Sequence, residues 1–140
     1  MNVYLDFKEG DPRAVAKAIR DAGVTKQILV YDDADSVAEW RRAAPELPLI
    51  VSPPQEAKTP KQLASFVSKL GVEVLDGSWK GYSREMVEAV TRVGARTWPD
   101  IQSAREDAAY FDKIIALGFT GVQTDHPEEL IAWLTQQHRR

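Results

Sequence analysis

The sequence predicts a single α/β domain of six βα units built around a parallel sheet. Three observations support this. Six short apolar runs end in polar residues, each run is followed by a stretch with helical periodicity, and runs such as 28–30 and 49–51 are apolar without alternation. Alternating strands and helices are typical of a parallel sheet covered by helices. A continuous apolar run is typical of a strand buried on both faces.

The predicted strands are short, and polar or aromatic residues stand at their carboxyl ends. The runs are Val3–Lys8, Gln27–Asp32, Leu49–Ser52, Val72–Asp76, Ala95–Trp98 and Gly121–Asp125. Ligands of such sheets bind beyond the carboxyl ends of the strands. The sequence therefore predicts a site at that end of the sheet, with these candidates: Asp6, Lys8, Asp32, Asp76, Trp98, Asp100 and Asp125.

Start and stop signals predict one helix after each strand. The helices are expected to begin near Asp11, Asp35, Thr59, Ser83, Ser103 and Pro127, and to end near Gly23, Ala44, Gly71, Gly94, Leu117 and Gln137. Thr59 and Gln62 have the spacing of a capping box, and glycine is the usual residue just past a helix end. Each helix carries one apolar stripe, as expected of an outer layer.

Composition excludes several functional classes. A net charge of −3, with no basic run longer than the pair Arg139-Arg140, argues against nucleic acid as a partner. The absence of cysteine excludes disulfides, thiolate metal sites and cysteine nucleophiles. No apolar stretch approaches ~20 residues, and no signal peptide is recognisable. We expect a soluble protein without membrane insertion, and the sequence does not indicate its cellular location.

Asp6 and Lys8 are the most suggestive charged pair. They are two residues apart on a predicted strand, so both side chains leave the same face. A carboxylate beside an ammonium group suits a divalent cation next to a phosphoryl oxygen. The simpler interpretation is a surface ion pair worth at most ~1 kcal/mol.

Three other segments also admit two interpretations. Asp125 and Glu128 could belong to a site or could only start a helix. Asp32, Asp33 and Asp35 could form a metal cluster, although capping of the second helix by Asp33 or Asp35 is simpler. Trp79 could stack on a ligand or pack within its loop.

Three segments, in order along the chain, resemble the glycerophosphodiester phosphodiesterase family, whose enzymes are TIM barrels. Asp6-Phe7-Lys8 matches the Glu/Asp-x-Lys element of the family's third strand. Four residues match the signature at the end of its last strand: Gly121, Thr124, Asp125 and Pro127. The segment 94–100 is similar to the Trp-rich seventh strand. Counted this way, residues 1–140 form one βα-repeat domain corresponding to units three to eight of an incomplete TIM barrel.

This resemblance implies metal-dependent hydrolysis of glycerophosphodiesters to glycerol 3-phosphate and an alcohol, a reaction of lipid metabolism. The ligand would be a glycerophosphodiester or glycerol phosphate, with Ca²⁺ or Mg²⁺ bound weakly. By the same resemblance Asp6 would be a metal ligand and Lys8 a phosphate contact. Trp98 would line the mouth of the substrate cleft, and Asp100 would join it.

The family's acid/base element and its metal-binding carboxylate pair are missing from these six units. Its His-Arg-Gly strand, its Glu-x-Asp strand and its His-Asp element have no counterpart, and the only histidines are His126 and His138. His126 is more simply an exposed loop histidine than a substitute acid/base. Each lost proton transfer costs about 10²–10⁴ in rate. We therefore expect no more than trace hydrolysis, which leaves open whether the chain is an enzyme.

Two alternatives belong to other classes. The chain could be a non-catalytic βα assembly, or a module derived from the same family that binds a small ligand or phosphate. A flavodoxin-like open sheet is the third possibility, disfavoured because no phosphate loop is present. For the favoured interpretation, a six-unit remnant of an eight-stranded barrel, two exposed sheet edges predict a homo-oligomer.

Overall fold

The computed structural model describes residues 2–137 and contains one five-stranded parallel sheet with six α-helices. The strands pair in sequence order and are β1 (Val3–Asp6), β2 (Ile28–Tyr31), β3 (Leu49–Val51), β4 (Val74–Leu75) and β5 (Arg96–Thr97). The helices are α1 (Pro12–Asp21), α2 (Val37–Ala43), α3 (Pro60–Leu70), α4 (Arg84–Arg92), α5 (Ala108–Ala116) and α6 (Pro127–Gln136). The predicted parallel α/β class is therefore confirmed.

The prediction of a sixth strand at 121–125 is wrong. Only Gln123 of this segment pairs, through a parallel bridge to Asp100. Its N–H donates to the Pro99 carbonyl at 2.9 Å, and its carbonyl accepts from the Ile101 N–H at 3.0 Å. Pro99 has no N–H to donate, so the ladder cannot continue in the direction of β5. The last unit is a helix preceded by a single bridge.

Two helix starts also differ from expectation. Helix α2 begins at Val37, and neither Asp33 nor Asp35 caps it: the three-residue 3₁₀ turn Ala34–Ser36 comes first, and the Asp33 side chain makes no capping bond. Helix α5 begins at Ala108, because the Asp107 carboxylate accepts from the Tyr110 N–H at 3.0 Å. The capping box of Thr59 and Gln62 is confirmed at α3.

The sheet has one face under the helices and one concave face opposite. Side chains alternate between the faces along each strand, and Val30, Val51 and Leu75 belong to the core shared with the helices. Ile50 and Val74, which are register partners, are buried outside that core. They therefore mark the concave face.

The concave face curves strongly enough to enclose space. Tyr4 of β1 and Trp98, just beyond β5, line one cavity of about 550 Å³ although three strands lie between theirs. This curvature is that of a barrel wall. None of the described helices is long and apolar enough to cross a bilayer. His138 and the pair Arg139-Arg140 lie outside the described residues.

Candidate functional site

Asp6 and Lys8 lie together at the carboxyl end of β1. The Lys8 Nζ atom is 2.7 Å from the Asp6 carboxylate, and the two side chains are 72% and 46% exposed respectively. The hydrogen bond from Lys8 to Asp6 raises the pKa of the ammonium group. Lys8 also lies 5.7 Å from the centroid of the Tyr31 ring. The pair is thus exposed to solvent yet adjoins the concave face.

Trp98 and Asp100 open into different cavities. Trp98 lines the large cavity on the concave face. Asp100 lines a separate polar cavity of about 140 Å³, together with Trp79 and Tyr110. These two rings pack edge to face with centroids 5.7 Å apart, so Trp79 is packed within its loop while still bordering that cavity. The described pockets therefore do not join Trp98 and Asp100.

A row of four polar side chains crosses the concave face between Lys8 and Trp98; we call Tyr31, Ser52, Asp76 and Gln123 the polar row. The Tyr31 and Ser52 hydroxyls are 3.1 Å apart. The Ser52 hydroxyl donates to Asp76 Oδ2 at 3.4 Å. The Gln123 amide donates to Asp76 Oδ1 at 2.5 Å and to the Trp98 carbonyl at 3.1 Å. The row links the predicted phosphate contact to the predicted cleft residue.

Asp76 is the electrostatic centre of the polar row. Burial is the largest cause of the raised pKa of its carboxyl group, and nearby Asp100 adds to it. The Gly77 N–H, the Gln123 amide and the Ser52 hydroxyl oppose the rise. Asp100 is thus close enough to influence the row even though it opens into another cavity.

The Tyr4 phenol lies close enough to two carboxylates, Asp76 and Asp6, to be affected by both. Burial raises the pKa of its phenol most, followed by Asp76 and then Asp6. Its ring stacks on Tyr31 with centroids 6.1 Å apart. The Tyr4 phenol therefore adjoins the row on the side of β1.

Sequence reasoning missed Tyr4, Tyr31, Ser52 and Gln123 as site residues. Two weak signals could have found some of them. Ser52 is the first polar residue after β3, as Asp76 is after β4, and Ile50↔Val74 pairing places the two at equivalent positions. Side chains two residues apart on a strand share a face, so Tyr4 could have been predicted to lie on the same face as Asp6.

Hydrogen bonds to the loop before α5 hold the segment 123–126 in place. The Thr124 hydroxyl donates to Glu106, which is only 6% exposed, and accepts from the His126 N–H at 2.9 Å. The Gln102 amide donates to the Asp125 carboxylate at 2.7 Å. Thr124 and Asp125 therefore attach the start of α6 to the loop that precedes α5. Glu106 gave no signal in the sequence.

The Asp32 carboxylate accepts hydrogen bonds that have a structural role. Its carboxylate accepts from the indole N–H of Trp40 at 2.7 Å and from the Asp33 N–H at 2.7 Å. Trp40 is fully buried, so Asp32 satisfies a donor that would otherwise lack a partner. This contact accounts for Asp32 without a metal.

The described residues do not form a cage for a divalent cation. Within residues 2–137 no group of three or more His, Cys, Asp or Glu side chains is placed to hold a metal ion. Ca²⁺ requires 6–8 oxygen ligands, whereas Asp6 offers one carboxylate that Lys8 already engages. His126 lies 3.7 Å from Glu129 on its own helix turn, and none of its described contacts reaches the polar row. No metal-dependent step follows from this donor set, and the role predicted for Asp6 stays a prediction.

No family model and no curated protein matches the sequence. Solved structures match the fold. A provisionally named glycerophosphoryl diester phosphodiesterase from Silicibacter pomeroyi matches with a TM-score of 0.82 at 17% identity, covering 98% of this chain and 51% of its own. A glycerophosphoryl diester phosphodiesterase from Parabacteroides distasonis gives 0.74 at 14% identity, covering 98% and 51%.

A third structure carries a ligand. It is a phosphodiesterase from Oleispira antarctica in complex with the product sn-glycerol 3-phosphate, matched with a TM-score of 0.69 at 16% identity over 96% of this chain and 56% of its own. The chain spans about half the length of these structures. The resemblance predicted from sequence is therefore confirmed as a likeness of fold to part of a TIM-barrel glycerophosphodiester phosphodiesterase.

Proposed function

We propose that this chain, which folds like about half of a glycerophosphodiester phosphodiesterase, binds glycerol phosphate compounds at the carboxyl end of its sheet. Lys8 would contact the phosphate, Trp98 and Asp100 would line the substrate side, and Asp6 would hold a weakly bound Ca²⁺ or Mg²⁺. The observation that carries the proposal is the polar row, whose hydrogen bonds run from the Tyr31 hydroxyl to the Trp98 backbone carbonyl, with Lys8 5.7 Å from the Tyr31 ring centroid.

The residues suit recognition of a phosphate carrying a glycerol. Lys8 supplies a positive charge at a carboxyl end of the sheet, and its side chain is 72% exposed. Hydroxyl, amide and carboxylate groups of the row offer both donors and acceptors to polyol hydroxyls. The glycerol 3-phosphate in the Oleispira antarctica phosphodiesterase supports this choice of ligand.

The same residues are poor at hydrolysis. A phosphodiester needs a group that removes a proton from water and one that protonates the leaving alcohol. The described contacts bring no histidine to the row, and Asp76 is bonded to Gln123 and Ser52. We expect turnover of glycerophosphocholine no greater than trace, and robust turnover would contradict this part of the proposal.

Calorimetric titration with sn-glycerol 3-phosphate tests binding. Lys8→Gln removes a charge-assisted contact worth about 1.5–3 kcal/mol, and we expect affinity to fall at least about tenfold. Lys17→Gln is a matched control because Lys17 is also exposed and paired with an aspartate, at 2.5 Å from Asp21 on α1. Equal affinities of the wild type and both variants would refute the phosphate contact.

Calcium titration tests Asp6 separately. Asp6→Asn should abolish any weak Ca²⁺ binding, whereas Asp21→Asn should not. If phosphate binding persists without Ca²⁺ and survives Asp6→Asn, the second candidate is favoured: a metal-independent binding module of the same fold. The donor set of the described residues, with one engaged carboxylate, favours that candidate over a metal enzyme.

A further inference from the structure

A small polar cavity lies between the segments that follow β4 and β5. Its volume is about 140 Å³, and its lining includes Ser78, Lys80, Asp100, Ser103 and Tyr110. All of its lining residues fall between positions 78 and 110, so two neighbouring units and the start of α5 build it. It is separate from the large cavity on the concave face.

Hydrogen bonds hold the walls of this cavity in place. Ser78 and Asp100 form a parallel bridge, and the Trp79 N–H donates to the Asp100 carbonyl at 3.2 Å. On the opposite wall, the Tyr110 hydroxyl donates to the Ile101 carbonyl at 2.5 Å. A ligand that enters walls already fixed pays less for ordering the protein.

Lys80 and Asp100 bring opposite charges to the cavity without neutralising each other. Among residues 2–137 neither side chain forms an ion pair. The Asp100 Oδ1 atom accepts from the Gln102 N–H at 2.8 Å, and Oδ2 has no partner in the described part of the chain. Lys80 is exposed within the 3₁₀ turn Trp79–Gly81. The cavity therefore offers one position to a cation and another to an anion.

Neighbouring carboxylates strengthen the negative charge around Asp100. Burial is the largest cause of the raised pKa of the Tyr110 phenol, and the carboxylates of Glu106 and Asp100 add to it. Asp100 also contributes, after burial, to the raised pKa of Asp76. These carboxylates favour an ammonium group at Asp100, which leaves Lys80 for the anionic group of the same ligand.

We infer that this cavity binds a small zwitterion of the α-amino acid type, with its ammonium group at Asp100 and its carboxylate at Lys80. A ligand with a single charge would meet one like charge, so the pair selects against it. The volume admits only a small molecule, since one water takes up roughly 30 Å³ in the liquid. The hydroxyls of Ser78 and Ser103 suit a side chain that carries a hydroxyl. Serine combines these features.

Two sources share this chemistry: free serine, and the serine head group of a glycerophosphodiester. Asp100 influences Asp76 of the polar row, so a head group in the cavity would lie beside a glycerol phosphate on the row. Only this second source rests on the proposed function. Binding of the free amino acid does not depend on it.

Calorimetric titration of the 140-residue chain with L-serine tests the site. We expect saturable binding. Two probes that each keep one charge should bind at least about tenfold more weakly: ethanolamine lacks the carboxylate, and 3-hydroxypropanoate lacks the ammonium group. Absence of serine binding, or equal affinity for serine and ethanolamine, would overturn the inference.

Substitutions assign each charge to its partner. Lys80→Gln should weaken serine binding at least about tenfold but should not weaken ethanolamine binding. Asp100→Asn keeps an oxygen for the Gln102 N–H, and it should weaken the binding of serine but not of 3-hydroxypropanoate. Lys113→Gln and Asp112→Asn, matched changes at exposed positions of α5, should leave every affinity unaltered. Variants that are folded by circular dichroism and bind serine as tightly as the wild type would overturn the inference.

Glycerophosphoserine distinguishes the two sources. If the head group occupies the cavity, this compound should bind more tightly than sn-glycerol 3-phosphate, and Lys8→Gln should weaken its binding but not that of free serine. Equal affinity for the two phosphates, with serine binding intact, identifies the free amino acid as the ligand. Serine binding without glycerol 3-phosphate binding would support the cavity and contradict the proposed function, and the reverse result would contradict the cavity alone.

Discussion

The backbone of Gly121 packs directly against the indole ring of Trp98. A Cβ atom at Gly121 would stand 2.7 Å from both Cδ1 and Nε1 of the ring. The contact seals the indole N–H, which is buried with no hydrogen-bond partner among the described groups. This is the physical reason for a glycine at the start of the last unit.

Gly121→Ala should therefore destabilise the fold. The indole is rigid and lies against the segment, so relief requires movement of the backbone or the ring, at a cost of about 1–3 kcal/mol. Urea unfolding followed by circular dichroism measures the loss. Gly81→Ala is the control, since nothing lies within 4 Å of a Cβ there and no left-handed φ is required. Similar effects of the two substitutions would argue against the contact.

The stability contribution of Asp76 should depend on pH with a definite sign. Burial raises the pKa of its carboxyl group above the ordinary 3.8, so the folded state retains a proton that the unfolded chain has lost. This contribution is complete below the unfolded pKa and is lost as pH rises through the folded one. Asp76→Asn is neutral throughout. Relative to the wild type, the variant should gain stability as pH rises from below 4 toward neutrality.

The Asp107→Asn variant should show the opposite dependence of stability on pH. The Tyr110 N–H, the first cause, holds the pKa of the Asp107 carboxyl group below its ordinary value. Its stabilising contribution is present above the unfolded pKa and is lost as pH falls through the lowered one. Thermal unfolding of both variants and the wild type across this range gives the two slopes, and parallel slopes would refute the assignment.

Glu106 and Thr124 should prove energetically coupled. Removing Thr124 leaves the buried Glu106 carboxylate without this donor, and removing Glu106 leaves the half-buried Thr124 hydroxyl without its acceptor, each at a cost of about 1–3 kcal/mol. We expect Glu106→Ala and Thr124→Val each to destabilise by this amount, and the double variant to lose clearly less than the sum. A double-mutant cycle from chemical unfolding measures the coupling. A control cycle combines Glu128→Ala with Thr124→Val, and there the two losses of stability should add.

Local signals predicted most of the fold. The capping box at Thr59 and the apolar runs before Tyr31 and Asp76 are readable because each depends on residues a few positions apart. The failure at 121–125 had a cause outside that segment, in Pro99 just beyond β5. A strand forms only beside a neighbour whose backbone groups can hydrogen-bond to it. The sequence of residues 121–125 does not show which neighbour it will have.

The site was harder to predict from the sequence for the same reason, because its contacts join residues that are far apart along the chain. Asp6 and Lys8 could be paired from their spacing alone, and the structure places them 2.7 Å apart. Gln123 and Asp76 are 47 residues apart, and their contact depends on the curvature of the whole sheet. The buried carboxylate of Glu106 lay in a segment expected to be helical, where an acidic residue suggests exposure.

The influence of Asp76 on Tyr4 reaches across two intervening strands. Nothing in the described residues closes the sheet into a ring, yet these strands already bend to the arc of one. The bend of the described strands is thus enough to bring groups from β1 and from the end of β4 into one electrostatic environment.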